Sequence, residues 1–161
     1  MTPRVSRYGW QAYILGIAVL ALDQSVKHWV INGLGLPILD TVRLFGPLHL
    51  TMVWKRGVSF GLFHADRELM RWALSVFSLI VAGVLVFWAR RAERPIVGAG
   101  LGLIIGGAVG NAVDRMRFGA VADFIDASRM YFPWVFNVAD SAITVGVALL
   151  LLDSVRRERP A

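Results

Sequence analysis

Four apolar runs, each close to the length that crosses a lipid bilayer, constrain this chain more than any other feature. They extend from about Trp10 to Ile31, from Leu69 to Ala89, from Ile96 to about Val113 and from roughly Trp134 to Leu152. About 20 helical residues cover ~30 Å of hydrocarbon at ~1.5 Å per residue. In a chain of 161 residues these runs leave no room for a separate soluble domain. The expected architecture is one membrane-embedded domain over residues 1–161, all-α, with four transmembrane helices and a small periplasmic β-structure between helices 1 and 2.

Composition supports the same class. Apolar residues make up 57% of the chain and charged residues only 17%, whereas a soluble domain is nearer 45–50% apolar. The net charge of +6 raises the question of nucleic acid. The arginines answer it, because they sit in short segments beside the apolar runs, as membrane anchoring requires, and no nucleic-acid partner is expected. The chain has no cysteine, which excludes disulfides, thiolate nucleophiles and cysteine metal sites.

The arginines also set an orientation. Arg4 and Arg7, then Arg90, Arg91 and Arg94, then Arg156, Arg157 and Arg159 crowd three short flanks. The long connections, from about Asn32 to Glu68 and from Asp114 to Pro133, are more dilute in basic residues. The positive-inside rule puts both termini and the Arg90–Arg94 turn in the cytoplasm and both long connections outside. The first run has some features of a cleavable signal: a basic start, the apolar stretch Ile14–Leu22 and the small-residue site Val19-Leu20-Ala21. It is read here as a retained span.

Within the first outer connection, Leu48-His49-Leu50-Thr51-Met52-Val53-Trp54 is rich in strand formers and partly alternates. Gly57-Val58-Ser59-Phe60-Gly61-Leu62-Phe63 follows a basic turn. Together they suggest β-structure with glycine bends over about 40–66, lying at the membrane surface where Trp54, Phe60 and Phe63 suit the interface. In the third run Gly98, Gly102, Gly106 and Gly110 recur every four residues and share a helical face that a neighbouring helix can approach closely. The next step of that stripe is Asp114, which is therefore expected to point into the bundle.

Charge at membrane depth costs roughly 2.5–3.5 kcal/mol or more per group, so each such residue needs a partner or a task. Asp23 and Lys27 are four apart with the acid first, the favourable order for a helical pair. Asn111, Asp114 and Arg115 share a face near the outer end of the third helix. Asp123 stands among apolar neighbours, with Asp126 as a rival three residues on. Asp140 is about six residues into the fourth run, roughly 9 Å below its outer boundary at the helical rise, and is the costliest acid to place.

The available chemistry narrows quickly. His28, His49 and His64 form no H-E-x-x-H pair and no triad spacing, there is no G-x-S-x-G elbow, and no phosphate loop is present. No metal or cofactor is called for. A carboxylate pair remains: two acids held close share one proton, so one acts as base on a water and the other as acid toward a carbonyl. Asp123 and Asp140 both approach the outer boundary, and can meet if the third and fourth helices pack through the glycine stripe. Spacing alone leaves Asp114 and Asp126 open as members.

Four motifs carry a resemblance along nearly the whole chain. Asp23-Gln24-Ser25-Val26-Lys27 resembles D-Q-x-x-K, Gly110-Asn111-Ala112-Val113-Asp114-Arg115 resembles G-N-x-x-D-R, Val121-Ala122-Asp123-Phe124 resembles V-x-D-F, and Phe136-Asn137-Val138-Ala139-Asp140-Ser141 resembles F-N-x-A-D-S. In this order they resemble the lipoprotein signal peptidase, or signal peptidase II, family. The resemblance implies that Asp123 and Asp140 are the catalytic pair. Asn111, Arg115 and Asn137 would then be polar supports, Asp23 and Lys27 buttresses from the first helix, and Asp114 and Gly57 further parts of the site. It implies a prolipoprotein substrate whose cysteine carries diacylglyceryl, cut just before that cysteine. Its acyl chains would anchor it at the outer leaflet, with membrane lipids as surroundings and the outer β-structure as a clamp. A monomer is expected.

One position departs from the family pattern N-x-G-x-[AS]-F: the segment here is Lys55-Arg56-Gly57-Val58-Ser59-Phe60, with lysine for asparagine. An ammonium only donates hydrogen bonds, and near an acid pair it favours the charged form. Lys55→Asn is expected to leave cleavage unchanged or to raise it. The competing readings are a small proton-coupled transporter and a scaffold held by the glycine stripe. Against a transporter, the interior acids lie toward the outer side and not at the bilayer middle.

Overall fold

The computed structural model describes residues 4–36, 41–56, 67–128 and 134–157. Its helices are α1 (Arg7–His28), α2 (Arg67–Ala89), α3 (Pro95–Phe118) and α4 (Val138–Arg157). All four are long and apolar enough to cross a membrane. Their exteriors carry the apolar side chains that lipid requires, such as Ile14 and Ile17 on α1, Phe77 on α2 and Leu151 on α4, each more than half exposed.

Local signals fix the helix ends. Ser6 caps α1, its Oγ accepting from Gly9 N at 2.9 Å. α1 runs on through a π-helical turn, Trp29–Gly33. Proline opens α3, where its missing N–H costs nothing. Gly119, at φ 72, closes α3 in the left-handed conformation that glycine adopts without penalty. The third span therefore continues past Val113, carrying Asp114 and Arg115 on regular helix.

α3 is the central helix, with neighbours on three sides. The glycine stripe lies against α1, which corrects the expectation that it would join α3 to α4. A Cβ at Gly102 would stand 2.6 Å from Ala12 O, and one at Gly106 would stand 2.5 Å from Gly16 O. A second set of small residues faces α4: a Cβ at Gly107 would meet Ala139 O at 2.5 Å. Helix backbones thus touch on both flanks of α3, the geometry that small residues permit in membranes.

The chain is not all-α. A four-stranded antiparallel sheet, ordered β1 (Thr41–Phe45), β2 (Leu48–Lys55), β3 (Val121–Asp126) and β4 (Val135–Phe136), covers one end of the bundle. β1 and β2 form a hairpin, turning at Gly46 with φ 54; of the expected strand segments, Leu48–Trp54 lies in β2. β3 comes from the connection between α3 and α4 and β4 from the start of the fourth apolar run, two places where no strand is expected from the sequence. β2 pairs with β3 in a register that sets Val53 opposite Asp123 and Lys55 opposite Val121. The second strand expected over Gly57–Phe63, the aromatics Phe60 and Phe63, and the site residue Gly57 lie outside the described residues.

The opposite end is tied together by its own contacts. Ser6 N donates to Arg90 O at 3.0 Å, Ser6 Oγ donates to Ala92 O at 2.7 Å, and Arg94 pairs with Asp153 at 2.6 Å. The start of α1, the α2–α3 turn and the end of α4 therefore share one basic end, and the sheet occupies the other.

Candidate active site

Where α1, α3 and α4 meet the sheet, the most polar residues of the chain are also among its most buried. Asp23, Asp114, Asp123 and Asn137 are fully excluded from solvent, and Lys27 is 2% exposed. Burying so many polar groups is tolerable only if each has partners.

Lys27 is the hub of the deeper half. Its Nζ lies 2.8 Å from Asp23 Oδ2 and 2.8 Å from Asp114 Oδ2. Gln24 Nε2 donates to Asp114 Oδ1 at 2.9 Å. Each acid then accepts one backbone N–H: Asp114 Oδ2 takes Ala122 N at 3.1 Å, and Asp23 Oδ1 takes Ala139 N at 2.9 Å. Ala122 and Ala139 immediately precede Asp123 and Asp140. One lysine thus links the two carboxylates that hold the backbone just ahead of both expected members of the acid pair. A Cβ at Gly110 would stand 2.7 Å from Asp23 Oδ2, so glycine there lets Asp23 lie against α3.

Two asparagines join those acids above the hub. Asn137 Nδ2 donates to Asp123 Oδ1 at 2.7 Å, and Asn111 Nδ2 donates to Asp140 Oδ1 at 2.8 Å. The amides meet one another, Asn137 Nδ2 to Asn111 Oδ1 at 3.2 Å. Asn137 also caps α4, its Oδ1 accepting from Asp140 N at 2.8 Å. That cap corrects the expected depth of Asp140. The helix begins at Val138, so Asp140 lies in its first turn and not six residues inside. The residues before the cap, Val135 and Phe136, belong to the sheet, and their hydropathy does not distinguish strand from helix.

Strand geometry separates the rival acids. Asp123 and Asp126 are an odd number of residues apart on β3, so their side chains leave opposite faces. Asp126 accepts from Ser128 N and Thr51 Oγ1, both at 2.9 Å, and takes no part in the cluster. Hydrogen bonds from Ser128, then from Thr51, hold its carboxyl below the usual carboxylate range. Asp114 is in the cluster but committed to Lys27 and Gln24. Asp123 and Asp140 are left, joined through Asn137 and Asn111 and near enough for the charge of Asp140 to act on Asp123.

Asp123 Oδ2 meets Lys55 Nζ at 2.6 Å, an ion pair off the regular hydrogen-bond direction. Burial pushes the Asp123 carboxyl above the ordinary carboxylate value, contact with Lys55 pulls it back, and the charge of Asp140 adds to the rise. Arg115 lies within electrostatic reach of Asp140, Asp114 and Asp123, and its NH1 donates to Asn111 O at 3.2 Å. An apolar cleft of about 360 Å³ opens beside Asp140, with walls that include Lys55, Trp134, Phe136, Thr144 and Val145. Two carboxyls so placed favour a single shared proton, which suits one to take a proton from water and the other to give one to a carbonyl.

All the expected site residues among the described positions thus hydrogen-bond or ion-pair within one cluster, Arg115 through its NH1 to Asn111 O. Two contributors were not singled out from sequence. Gln24 sits inside the first motif and could have been found there. Arg71 of α2 donates from Nε to Arg115 O at 2.7 Å and from NH2 to Met116 O, satisfying carbonyls at the end of α3. No sequence signal marks that contact. Among the described residues, no three His, Asp or Glu side chains are grouped to hold a metal ion.

Comparisons with known proteins agree with the geometry. The chain matches the family model described as signal peptidase (SPase) II over residues 15–156. It is 51% identical to the lipoprotein signal peptidase of Caulobacter vibrioides, with 96% of this chain and 92% of the relative covered. It is 46% identical to the lipoprotein signal peptidase of Methylorubrum extorquens, covering 87% and 82%. In fold it is similar to a bacterial membrane enzyme solved by the in meso method at 2.3 Å, with a TM-score of 0.77, 23% identity, and 100% and 98% of the two chains covered.

Proposed function

The chain belongs to the signal peptidase II family, and from that membership we propose that it is a membrane aspartyl endopeptidase of the bacterial inner membrane that removes signal peptides from prolipoproteins. Asp123 and Asp140 are its catalytic pair. The observation that carries this reading is the chain of short contacts Asp123–Asn137–Asn111–Asp140, which holds two acids from separate elements at one cleft.

The reaction needs nothing else. One carboxylate takes a proton from water as the water oxygen bonds to the scissile carbonyl carbon, and the protonated partner gives its proton to the carbonyl oxygen. Collapse of the tetrahedral diol breaks the C–N bond while the first acid returns its proton to the leaving nitrogen and a diol hydroxyl gives its proton back to the second carboxylate, which restores the pair. The products are the signal peptide, ending in a carboxylate, and the mature lipoprotein, beginning with a free amine on its diacylglyceryl cysteine. Asn137 and Asn111 each hold one carboxyl oxygen through an amide N–H, and Arg115 offsets the negative charge of the pair. The apolar cleft beside Asp140 suits acyl chains or the residues around the cut. The chain acts as one domain and as a monomer, its basic end in the cytoplasm and its sheet at the periplasmic surface. A transporter reading is disfavoured, because the acids cluster at one end of the bundle.

The test uses purified protein and a diacylglyceryl-modified precursor peptide. Asp123→Asn and Asp140→Asn are each expected to lower turnover by about 10²–10⁴-fold, the usual share of a positioned acid or base, while melting stays cooperative. Wild-type turnover in either variant would reject the assignment.

A further inference from the structure

Asp123 is completely buried, yet the side chain covering its Oδ2 is the 44% exposed Lys55. Lys55 closes β2, and its Nζ is fixed at two points: 2.6 Å from Asp123 Oδ2 on β3 and 2.8 Å from Val135 O on β4. The same side chain lines the cleft that Asp140 enters. The two acids therefore differ in surroundings. Asp123 has an ammonium against one oxygen, off the hydrogen-bond direction, and an amide N–H donating to the other; both favour the ionised form and oppose the burial that pushes this carboxyl up. Asp140 receives one amide N–H on Oδ1 and faces the cleft.

Resting on the family reading above, we infer that Lys55 is a positioning residue of the reaction: its ammonium keeps Asp123 the ionised member of the pair, which assigns the base to Asp123 and the proton donor to Asp140. The charged groups around Asp123 are Lys55 from β2, Asp140 from α4, Lys27 from α1 and Arg115 from α3. Lys27 is already shared between Asp23 and Asp114, so Lys55 is the cation in direct contact with Asp123.

The sign of the effect follows. A cation beside Asp123 lowers the pH at which it loses its proton, so removing the cation moves that pH upward. The acidic limb of the kcat/KM profile should shift up by about one pH unit in Lys55→Met and Lys55→Asn, the low end of the range for a contacting charge because Lys55 is half exposed. One unit below the wild-type midpoint that is a loss of nearly tenfold relative to each protein's own plateau, so in acid Lys55→Asn departs from the expectation drawn from the sequence, that cleavage is unchanged or raised. Lys55→Arg keeps the charge and should keep the wild-type limb. Three results overturn the inference: superimposable profiles in Lys55→Met and wild type; a uniform gain in Lys55→Met, which would make Lys55 a mere obstruction; or equal uniform losses in Lys55→Met and Lys55→Arg, which would make it a strut. The family reading is tested separately in the same assay by Asp123→Asn. If that variant is inactive and the Lys55 profiles coincide, the catalytic pair stands and the role of Lys55 falls.

Discussion

At the scale of single residues, the site is built on a buried ion triad whose value is geometric. Asp23 and Asp114 share the ammonium of Lys27, and through Ala139 N and Ala122 N they set the backbone before both proposed catalytic acids. Lys27→Met would leave two carboxylates buried without their cation, a loss of about 3–5 kcal/mol, read as a lower midpoint on SDS titration of the folded protein. Unchanged stability would mean that the triad does not hold the fold together. Part of this was legible in the sequence. The spacing of Asp23 and Lys27 announced a pair, and the glycine period pointed Asp114 inward. The choice between Asp123 and Asp126 was not legible from spacing. It depends on β3 being a strand, and β3 finds its partner β2 about 70 residues earlier in the chain, beyond any local pattern.

At the scale of elements, α3 is the surface on which the others are assembled, and its glycines are contact points, not hinges. Gly106→Val would drive a side chain into Gly16 O and the Val19 side chain. Overpacking of this kind costs about 1–3 kcal/mol, and because α1 carries Asp23 and Lys27 it should depress cleavage as well as stability. Gly83→Ala on α2 is the control: an added Cβ there has nothing within 4 Å, so stability should hold or rise slightly. Comparing the two variants by SDS titration and turnover separates interface packing from helix propensity. The sequence showed the stripe but not which helix it faces, since a row of small residues admits any neighbour. The strand character of Val135 and Phe136 was hidden for a related reason: an apolar run before a helix start reads as more helix until the Asn137 cap is seen.

At the scale of the whole molecule, charge and chemistry are segregated to opposite ends. The arginine-rich turn and the two helix ends tied to it lie away from the sheet and its acids. In a cell this separation predicts a simple labelling pattern, made easy to read by the absence of native cysteine. A membrane-impermeant maleimide added to spheroplasts should label Leu44→Cys on β1 and spare Glu93→Cys in the α2–α3 turn until the membrane is broken. The reverse pattern would invert the orientation and put the catalytic acids in the cytoplasm.

The sheet binds β2, which is synthesised early, to β3 and β4, which come late, and Asp140 lies on the final helix. No partial chain emerging from the ribosome contains both acids in place, because the second is delivered only as the last span is inserted. If both acids are needed for cleavage, competence arrives in a single late step, when the sheet closes and that helix is in place.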